Sequence, residues 1–317
     1  VKISVLIPCY NEEESIPELF AKLEDVVNAN AYDAEYVFVD DGSTDRTIAI
    51  LRELRTKSSR VGVVSFRRNN GKSAALNAGF RVVRGDIVVT MDADLQDDPA
   101  EIPNLIAELD RGADLVSGWK IDRKDPLSKT VPSRVFNAVT SAFSGVRLHD
   151  FNCGLKAYRR DVIKALTLYG ELHRFIPVLA AWEGFRVSEL GVKHFRRKYG
   201  HSKYGARRFL NGFFDLITVM FVTRRALNPL HFFGRVAIVF FVLGFVPQVV
   251  FLVQWLMGHG LRVRPIMLLG LVLIIVALQI ASIGLLAEMI SSRSARAPHY
   301  VFREHAVGPR DGEDGDA

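Results

Sequence analysis

Short apolar runs alternate with segments of helical period through the first third of the chain. Ile3-Ser4-Val5-Leu6-Ile7-Pro8 reads as a buried strand, and residues 13–29 follow with Ile16, Leu19, Phe20, Leu23, Val26 and Val27 on one helical face. The alternation repeats, with strands predicted at 36–40, 61–66, 87–91 and 114–117 and helices at 45–57, 72–83 and 99–111. Strands alternating with helices predict a mostly parallel sheet covered on both faces. On such sheets ligands sit at the carboxyl ends of the strands.

Beyond this point the pattern changes. Residues 119–132 are polar and basic and predict a loop. Residues 133–144 and 206–225 read as amphipathic helices with basic edges, of the kind that lie in a membrane interface. Residues 236–261 and 265–287 contain no Asp, Glu, Lys or Arg. A spanning helix needs about 20 apolar residues, so each stretch is long enough, and a core helix of this length would show a polar face. The tail from Glu304 is acidic and Gly-rich and is expected to be disordered. The expected organisation is a catalytic domain at 1–204, interfacial helices at 205–235, a two-helix membrane hairpin at 236–290 and a tail at 291–317.

Charge refines this picture. The net charge of +6 admits either nucleic acid or a membrane as partner. Residues 193–225 hold nine Lys or Arg against one acid, Asp215, and such clusters beside a span attract anionic headgroups. The aromatic and basic interleaving of single-strand binders is missing, so a membrane is expected and nucleic acid is not. Arg207, Arg208, Arg224, Arg225 and Arg235 precede the first span, and Arg293, Arg296 and Arg303 follow the second. The positive-inside rule then predicts an inner-membrane protein with body and tail cytoplasmic, although the connector at 258–264 carries two Arg. Residues 1–8 are too short for a signal-peptide apolar region, so the body is expected to stay where it is made. Two cysteines, Cys9 and Cys153, make no disulfide framework.

The conspicuous polar clusters fall at strand ends: Pro8-Cys9-Tyr10-Asn11-Glu12, Asp40-Asp41-Gly42-Ser43 and Asp92-Ala93-Asp94-Leu95-Gln96-Asp97. A lone Asp at a strand end is usually a helix cap. Two carboxylates crowded after one buried strand fit that role badly, because each raises the other's pKa unless a cation intervenes. A hard divalent cation answers this, since Mg²⁺ takes one or two carboxylates together with substrate phosphates. Gly71-Lys72-Ser73 does not complete a phosphate loop, because the Walker pattern needs Gly where Phe66 stands. A helix start near Gly71 can still face a phosphate.

Ile7-Pro8-Cys9-Tyr10-Asn11-Glu12, Val39-Asp40-Asp41-Gly42-Ser43-Thr44-Asp45 and Asp92-Ala93-Asp94-Leu95-Gln96 together resemble the family 2 inverting glycosyltransferases of the GT-A fold. The two apolar stretches, His149-Asp150-Phe151-Asn152-Cys153-Gly154 and Gly200-His201-Ser202-Lys203-Tyr204 narrow the resemblance. They are similar to the bacterial polyprenyl-phosphate glycosyltransferases, relatives of dolichol-phosphate mannose synthase, and most like the two-span glucosyl type. The resemblance covers roughly residues 3–290. It implies a Rossmann-like α/β GT-A domain with a mostly parallel sheet, followed by interfacial and transmembrane helices. It implies that Pro8, Tyr10, Glu12 and Asp40 hold the nucleotide, and Asp41, Lys72 and Asp92 are placed with them. It implies that Asp92, Asp94 and Gln96 hold Mg²⁺ or Mn²⁺ with the diphosphate, and that Asp150 lies at the reaction centre.

Lys120, Arg123, Arg134 and Lys203 are the cations expected on the acceptor phosphate. Many relatives carry Arg where Lys120 stands, which exchanges a guanidinium fork for a point charge. The expected reaction moves a sugar, glucose from UDP-glucose as first expectation, with inversion onto undecaprenyl phosphate. Homo-oligomers are also expected. The competing readings are a mannose synthase using GDP-mannose, a non-catalytic membrane scaffold and a processive polysaccharide synthase. The last carries Gln-x-x-Arg-Trp and more spans, and this sequence has neither.

Overall fold

The computed structural model describes residues 1–121, 136–142, 144–195, 198, 229–258 and 264–294. Seven strands form one sheet: β1 (Lys2–Cys9), β2 (Asp33–Asp40), β3 (Val61–Ser65), β4 (Ile87–Thr90), β5 (Leu115–Lys120), β6 (Lys156–Arg159) and β7 (Val187–Val192). Their order is β3-β2-β1-β4-β6-β5-β7. Every pairing is parallel except the two made by β6, which runs antiparallel to both β4 and β5.

Period-two alternation along β1 explains the uninterrupted apolar run. Val5 and Ile7 face one core with α1 (Ile16–Ala29), α2 (Thr47–Lys57) and α4 (Ile102–Asp110), through Leu19, Leu23, Leu51 and Leu105. Leu6 faces the other core with α3 (Lys72–Val82), α5 (Arg160–Ala165) and α6 (Ile176–Trp182), through Leu76, Phe80, Val162 and Val178. A strand buried on both faces has no polar side, so its hydrophilic residues collect at its ends.

Several boundaries move from the sequence reading. α1 begins at Ile16, because the Glu12 carbonyl is taken by the Ser15 and Ile16 amides in a turn and Pro17 occupies the first helical turn. Trp119 and Lys120, read as loop, belong to β5, where they pair with Gly191 and Val192 of β7. The rest of that loop from residue 122 lies outside the described residues, as do the helix expected at 206–225 and the tail beyond Ser294, while residues 291–294 of the expected tail are helical. Of the helix expected at 133–144, residues 136–142 are helical.

The two uncharged stretches form α7 (Pro229–Leu256) and α8 (Pro265–Ser294), both long and apolar enough to cross a membrane. A soluble core helix pair would be enclosed, yet only 11% of each span is buried and Leu243, Leu256, Leu271 and Leu286 stand exposed. Such an apolar surface calls for a nonpolar surrounding. The two helices pack closely where Gly244 meets Gly270, since a Cβ on Gly270 would stand 2.8 Å from the Gly244 carbonyl. Gln248 Nε2 donates to the Met267 carbonyl at 2.7 Å across the same contact.

At the opposite end of the sheet from the polar clusters, Gly85 lets the chain turn into β4. Its amide donates to Ser4 Oγ at 2.7 Å, and Ser4 Oγ donates to Glu35 at 2.6 Å. A Cβ there would lie 2.5 Å from the Ser4 backbone nitrogen. Gly85→Ala should therefore destabilise the body by about 1–3 kcal/mol. Urea unfolding followed by tryptophan fluorescence in detergent measures this, and an unchanged midpoint contradicts the packing described.

Candidate active site

The carboxyl ends of β1, β2 and β4 lie side by side and carry the acidic residues. Asp40 ends β2 with its carboxylate accepting the Ser43 amide at 3.0 Å and Ser65 Oγ at 2.7 Å. Asn11 sits just past β1 in the left-handed region (φ 53°), which Asn tolerates better than most residues. It binds the β2 loop through its amide to Ser43 Oγ at 2.9 Å and through Oδ1 from the Thr44 amide at 2.8 Å. The Glu12 amide donates to Thr47 Oγ1 at 2.9 Å. Pro8, Tyr10 and Glu12 thus lie at or just past the end of β1, beside Asp40 at the end of β2.

Asp41 points inward. Its two oxygens accept the Asn70 and Gly71 amides at 2.7 and 2.9 Å, which anchors the start of α3. Burial raises the Asp41 carboxyl above its ordinary value, against the pull of those amides. Lys72, the next residue, forms an ion pair with Asp92 just beyond β4. Burial alone would raise the Asp92 carboxyl. The Lys72 charge and hydrogen bond outweigh it and bring it down to about 2, with Lys120 and His173 adding to the effect. Asp41 and Lys72, expected among the nucleotide contacts, are therefore engaged within the protein.

Asp94 is buried and its Oδ1 accepts the Gln96 amide at 3.2 Å. Between them Leu95 is held at φ 60°, a strained conformation for a branched residue. Such strain persists where the surroundings impose it and concentrates at functional sites. Gln96 Nε2 donates to the Phe195 carbonyl at 3.3 Å, which ties this turn to the segment after β7. Among the described residues no cluster of three or more His, Cys, Asp or Glu has metal-holding geometry. The donor set of two carboxylates nevertheless fits a Mg²⁺- or Mn²⁺-type ion whose remaining ligands come from a substrate diphosphate. A Cβ on Gly154 would lie 2.6 Å from Asp92 Oδ2, so only glycine leaves that carboxylate its position.

The remaining site residues arrive through β6. Asp150 is buried, and its Oδ1 accepts the Asn152 amide at 2.9 Å in a tight turn. Lys120, at the end of β5, also lies in the field of Asp150. Burial pulls the Lys120 ammonium down, but Cys153, Asp97, Asp150 and Asp92 carry it above its ordinary value. Lys120 therefore stays charged beside the acids. Arg123, Arg134 and Lys203 lie outside the described residues.

Residues 4–167, over half of the chain, match the family described as Glycosyl transferase family 2. This chain belongs to glycosyl transferase family 2. It is 36% identical over 316 residues to a dodecaprenyl-phosphate galacturonate synthase of Rhizobium johnstonii, covering 96% of this chain and 93% of that one. It is 38% identical over 310 residues to an undecaprenyl-phosphate 4-deoxy-4-formamido-L-arabinose transferase of Edwardsiella ictaluri, covering 96% and 94%. The fold is also that of glucosyl-3-phosphoglycerate synthase from Mycobacterium tuberculosis, solved with Mn²⁺ and UDP-glucose. That match has a TM-score of 0.53 and 23% identity, covering 69% of this chain and 78% of that one. The glycosyltransferase is thus a GT-A α/β domain with two apolar helices, as the sequence predicts.

Three polar residues of this glycosyltransferase site escape the sequence reading. Lys156 is buried, donates to the Cys153 carbonyl, and lines a small cavity with Pro8, Lys72, Asp92 and His173. Burial, with Lys72 adding, holds its ammonium below the usual lysine value. His173 shares a hydrogen bond of 3.0 Å between Nδ1 and Ser73 Oγ, and burial, Lys72 and Arg174 keep its ring well below the ordinary histidine pKa. Glu189 of β7 accepts hydrogen bonds from the His149 and Asp150 amides. A lysine flanked by Leu155 and Ala157 is a legible signal of a buried charge. His173 and Glu189 carry none, because only the tertiary fold brings them here.

The Lys72–Asp92 pair sets a pH dependence. Asp92 titrates below its unfolded value of about 3.9, so its contribution to stability is full above that pH and is lost as pH falls towards about 2. Lys72→Met leaves a half-buried carboxylate without its cation and should lift Asp92 from its depressed value. In chelator-treated protein, the stability gap between wild type and Lys72→Met should be widest near neutrality and shrink as pH falls through roughly 4. Chemical unfolding at about pH 3, 5 and 7 tests this, and a gap independent of pH refutes it.

Proposed function

We propose that this glycosyltransferase moves a sugar, with inversion, from a nucleoside diphosphate to the phosphate of a polyprenyl lipid at a membrane surface. The observation that carries the reading is the juxtaposition of the Asp92–Asp94 turn, Lys120 and Asp150 at one sheet end, in a chain with two exposed apolar helices. The two relatives, aligned along nearly their whole length including the apolar helices, support the lipid acceptor. Their printed sugars are galacturonate and 4-deoxy-4-formamido-L-arabinose. Neither glucose nor mannose draws support from them, so the proposed donor carries a sugar other than glucose.

In this reading Pro8, Tyr10, Glu12 and Asp40 form the nucleotide rim. Asp92, Asp94 and Gln96 would hold Mg²⁺ or Mn²⁺ against the diphosphate. Such an ion, when bound, offsets the charge that grows on the leaving group. An acceptor phosphate oxygen attacks the anomeric carbon, a new C–O bond forms, and the bond to the nucleoside diphosphate breaks. The acceptor is a phosphate monoester whose second pKa lies near 6, so at neutral pH it is mostly a dianion and already nucleophilic. Asp150 then orients the acceptor and steadies the sugar's positive charge, while Lys120 counters the acceptor phosphate. Arg123, Arg134 and Lys203 complete the proposed acceptor set. The catalytic body and the tail lie on the cytoplasmic side.

The test is sugar transfer to undecaprenyl phosphate in detergent or vesicles with a panel of nucleotide sugars. Turnover is expected with a uronate or 4-amino-pentose donor and not with UDP-glucose or GDP-mannose. Asp94→Asn should lose most turnover while remaining folded, and full activity in excess EDTA sinks the metal reading.

For Asp150, orientation and general-base roles separate by pH. General-base help is worth roughly 10²–10⁴-fold and matters most where the acceptor still holds its proton. The Asp150→Asn deficit is expected to be nearly constant from about pH 6 to 8. A deficit that shrinks steadily with rising pH assigns Asp150 as the base instead.

A further inference from the structure

We infer that Glu189 is the positioning residue for Asp150, holding the reactive turn from the adjacent edge strand. The inference rests on the role proposed above for Asp150. Glu189 lies on β7, opposite Ser117 of β5, with its side chain 13% exposed. Its carboxylate receives the His149 amide at 2.8 and 3.0 Å on its two oxygens and the Asp150 amide at 3.0 Å. The same group receives His149 Nδ1 at 2.7 Å. A carboxylate only accepts, so His149 carries its proton on Nδ1 in this arrangement. The imidazole is also stacked on Trp119, with ring centroids 4.1 Å apart and planes 17° apart. Trp119 stands two residues beyond Ser117 on β5.

Two neighbouring strands therefore grip the residue before Asp150, one by hydrogen bonds and one by stacking. Asp150 Oδ1 is fixed in turn by the Asn152 amide. Backbone and side chain of Asp150 are thus restrained together. The fold does not need Glu189 to dock β7, because β7 is already paired with β5 from Leu115 to Lys120. A carboxylate placed next to an acid that must act as an anion also works against that acid. Its benefit lies in geometry, where a shift of about 1 Å can cost up to roughly 10²-fold in rate.

The experiment uses full-length protein and the transfer assay above, with Glu189→Gln and His149→Gln each made alone and in an Asp150→Asn background. Glu189→Gln keeps the length but replaces one acceptor oxygen with a donor. It should lower kcat by roughly 10- to 100-fold with the donor KM little changed, and Glu189→Asp should recover part of the loss. His149 is exposed, so His149→Gln keeps the test open if the Glu189 variant fails to fold, and a smaller loss of the same kind is expected. In the Asp150→Asn background neither substitution should cost anything further. Additive losses, or a change confined to KM, overturn the positioning role and leave Asp150 as proposed. Wild-type turnover in Asp150→Asn removes Asp150 from the reaction and the role of Glu189 with it.

Discussion

Four consecutive residues at the start of α3 tie together the ends of strands that are far apart in sequence. The Asn70 and Gly71 amides bind Asp41 beyond β2, Lys72 pairs with Asp92 beyond β4, and Ser73 Oγ meets His173. Gly71 makes this possible with φ 90° and ψ 161°, a backbone region open essentially to glycine alone. Acids buried at strand ends repel one another and lose hydration. Here Asp41 and Asp92 are each compensated by a partner from this one helix start. The helix contributes its unsatisfied amides to Asp41 and its first side chain to Asp92, so the acidic end of the sheet holds together before any substrate arrives.

The second constraint is the direction of β6. Because β6 runs antiparallel to β4, its first residue, Lys156, pairs with Thr90, the last of β4. The residues just before β6, including Asp150 and Gly154, are thereby delivered to the place where Asp92 leaves β4. Thr90 Oγ1 donates to the Gly154 carbonyl at 3.0 Å and secures the crossing. The same antiparallel pairing sets Ser117 of β5 opposite Lys156, so Lys120 emerges at that end as well. One reversed strand in an otherwise parallel sheet thus gathers Asp92, Lys120 and Asp150 from segments that share no local pattern.

This geometry explains what the sequence made legible. β1, β2 and β4 are buried on both faces, so they read as apolar runs, and their acids stand out at the ends. The two long apolar helices are legible for a similar reason, because each holds a run of more than 20 residues without Asp, Glu, Lys or Arg. β6 is four residues long and contains a lysine, a tyrosine and an arginine, which no periodicity marks as a strand. Lys156 is therefore legible only through its apolar neighbours Leu155 and Ala157 and not through a strand pattern. Trp119 and Lys120 read as loop because their partners on β7 lie some 70 residues away. Asp41 and Lys72 read as ligand contacts in a list of polar residues, and three-dimensional pairing shows that both also bind within the protein.

Charge balance links the site to the membrane. Both substrates proposed here are anions, yet the sheet end that receives them is lined with carboxylates. Lys72 cancels Asp92, and burial weakens Lys156 as a cation, so neither offers much to an incoming phosphate. Lys120, raised above its ordinary value by its acidic neighbours, is the described cation proposed for the acceptor phosphate. The stretch at 193–225, which precedes the first apolar helix in the sequence, holds nine Lys or Arg against one acid, a composition that draws anionic headgroups. In the proposed reading the basic stretch would gather the lipid phosphate at the membrane surface, and Lys120 with the Asp150 turn would fix its position.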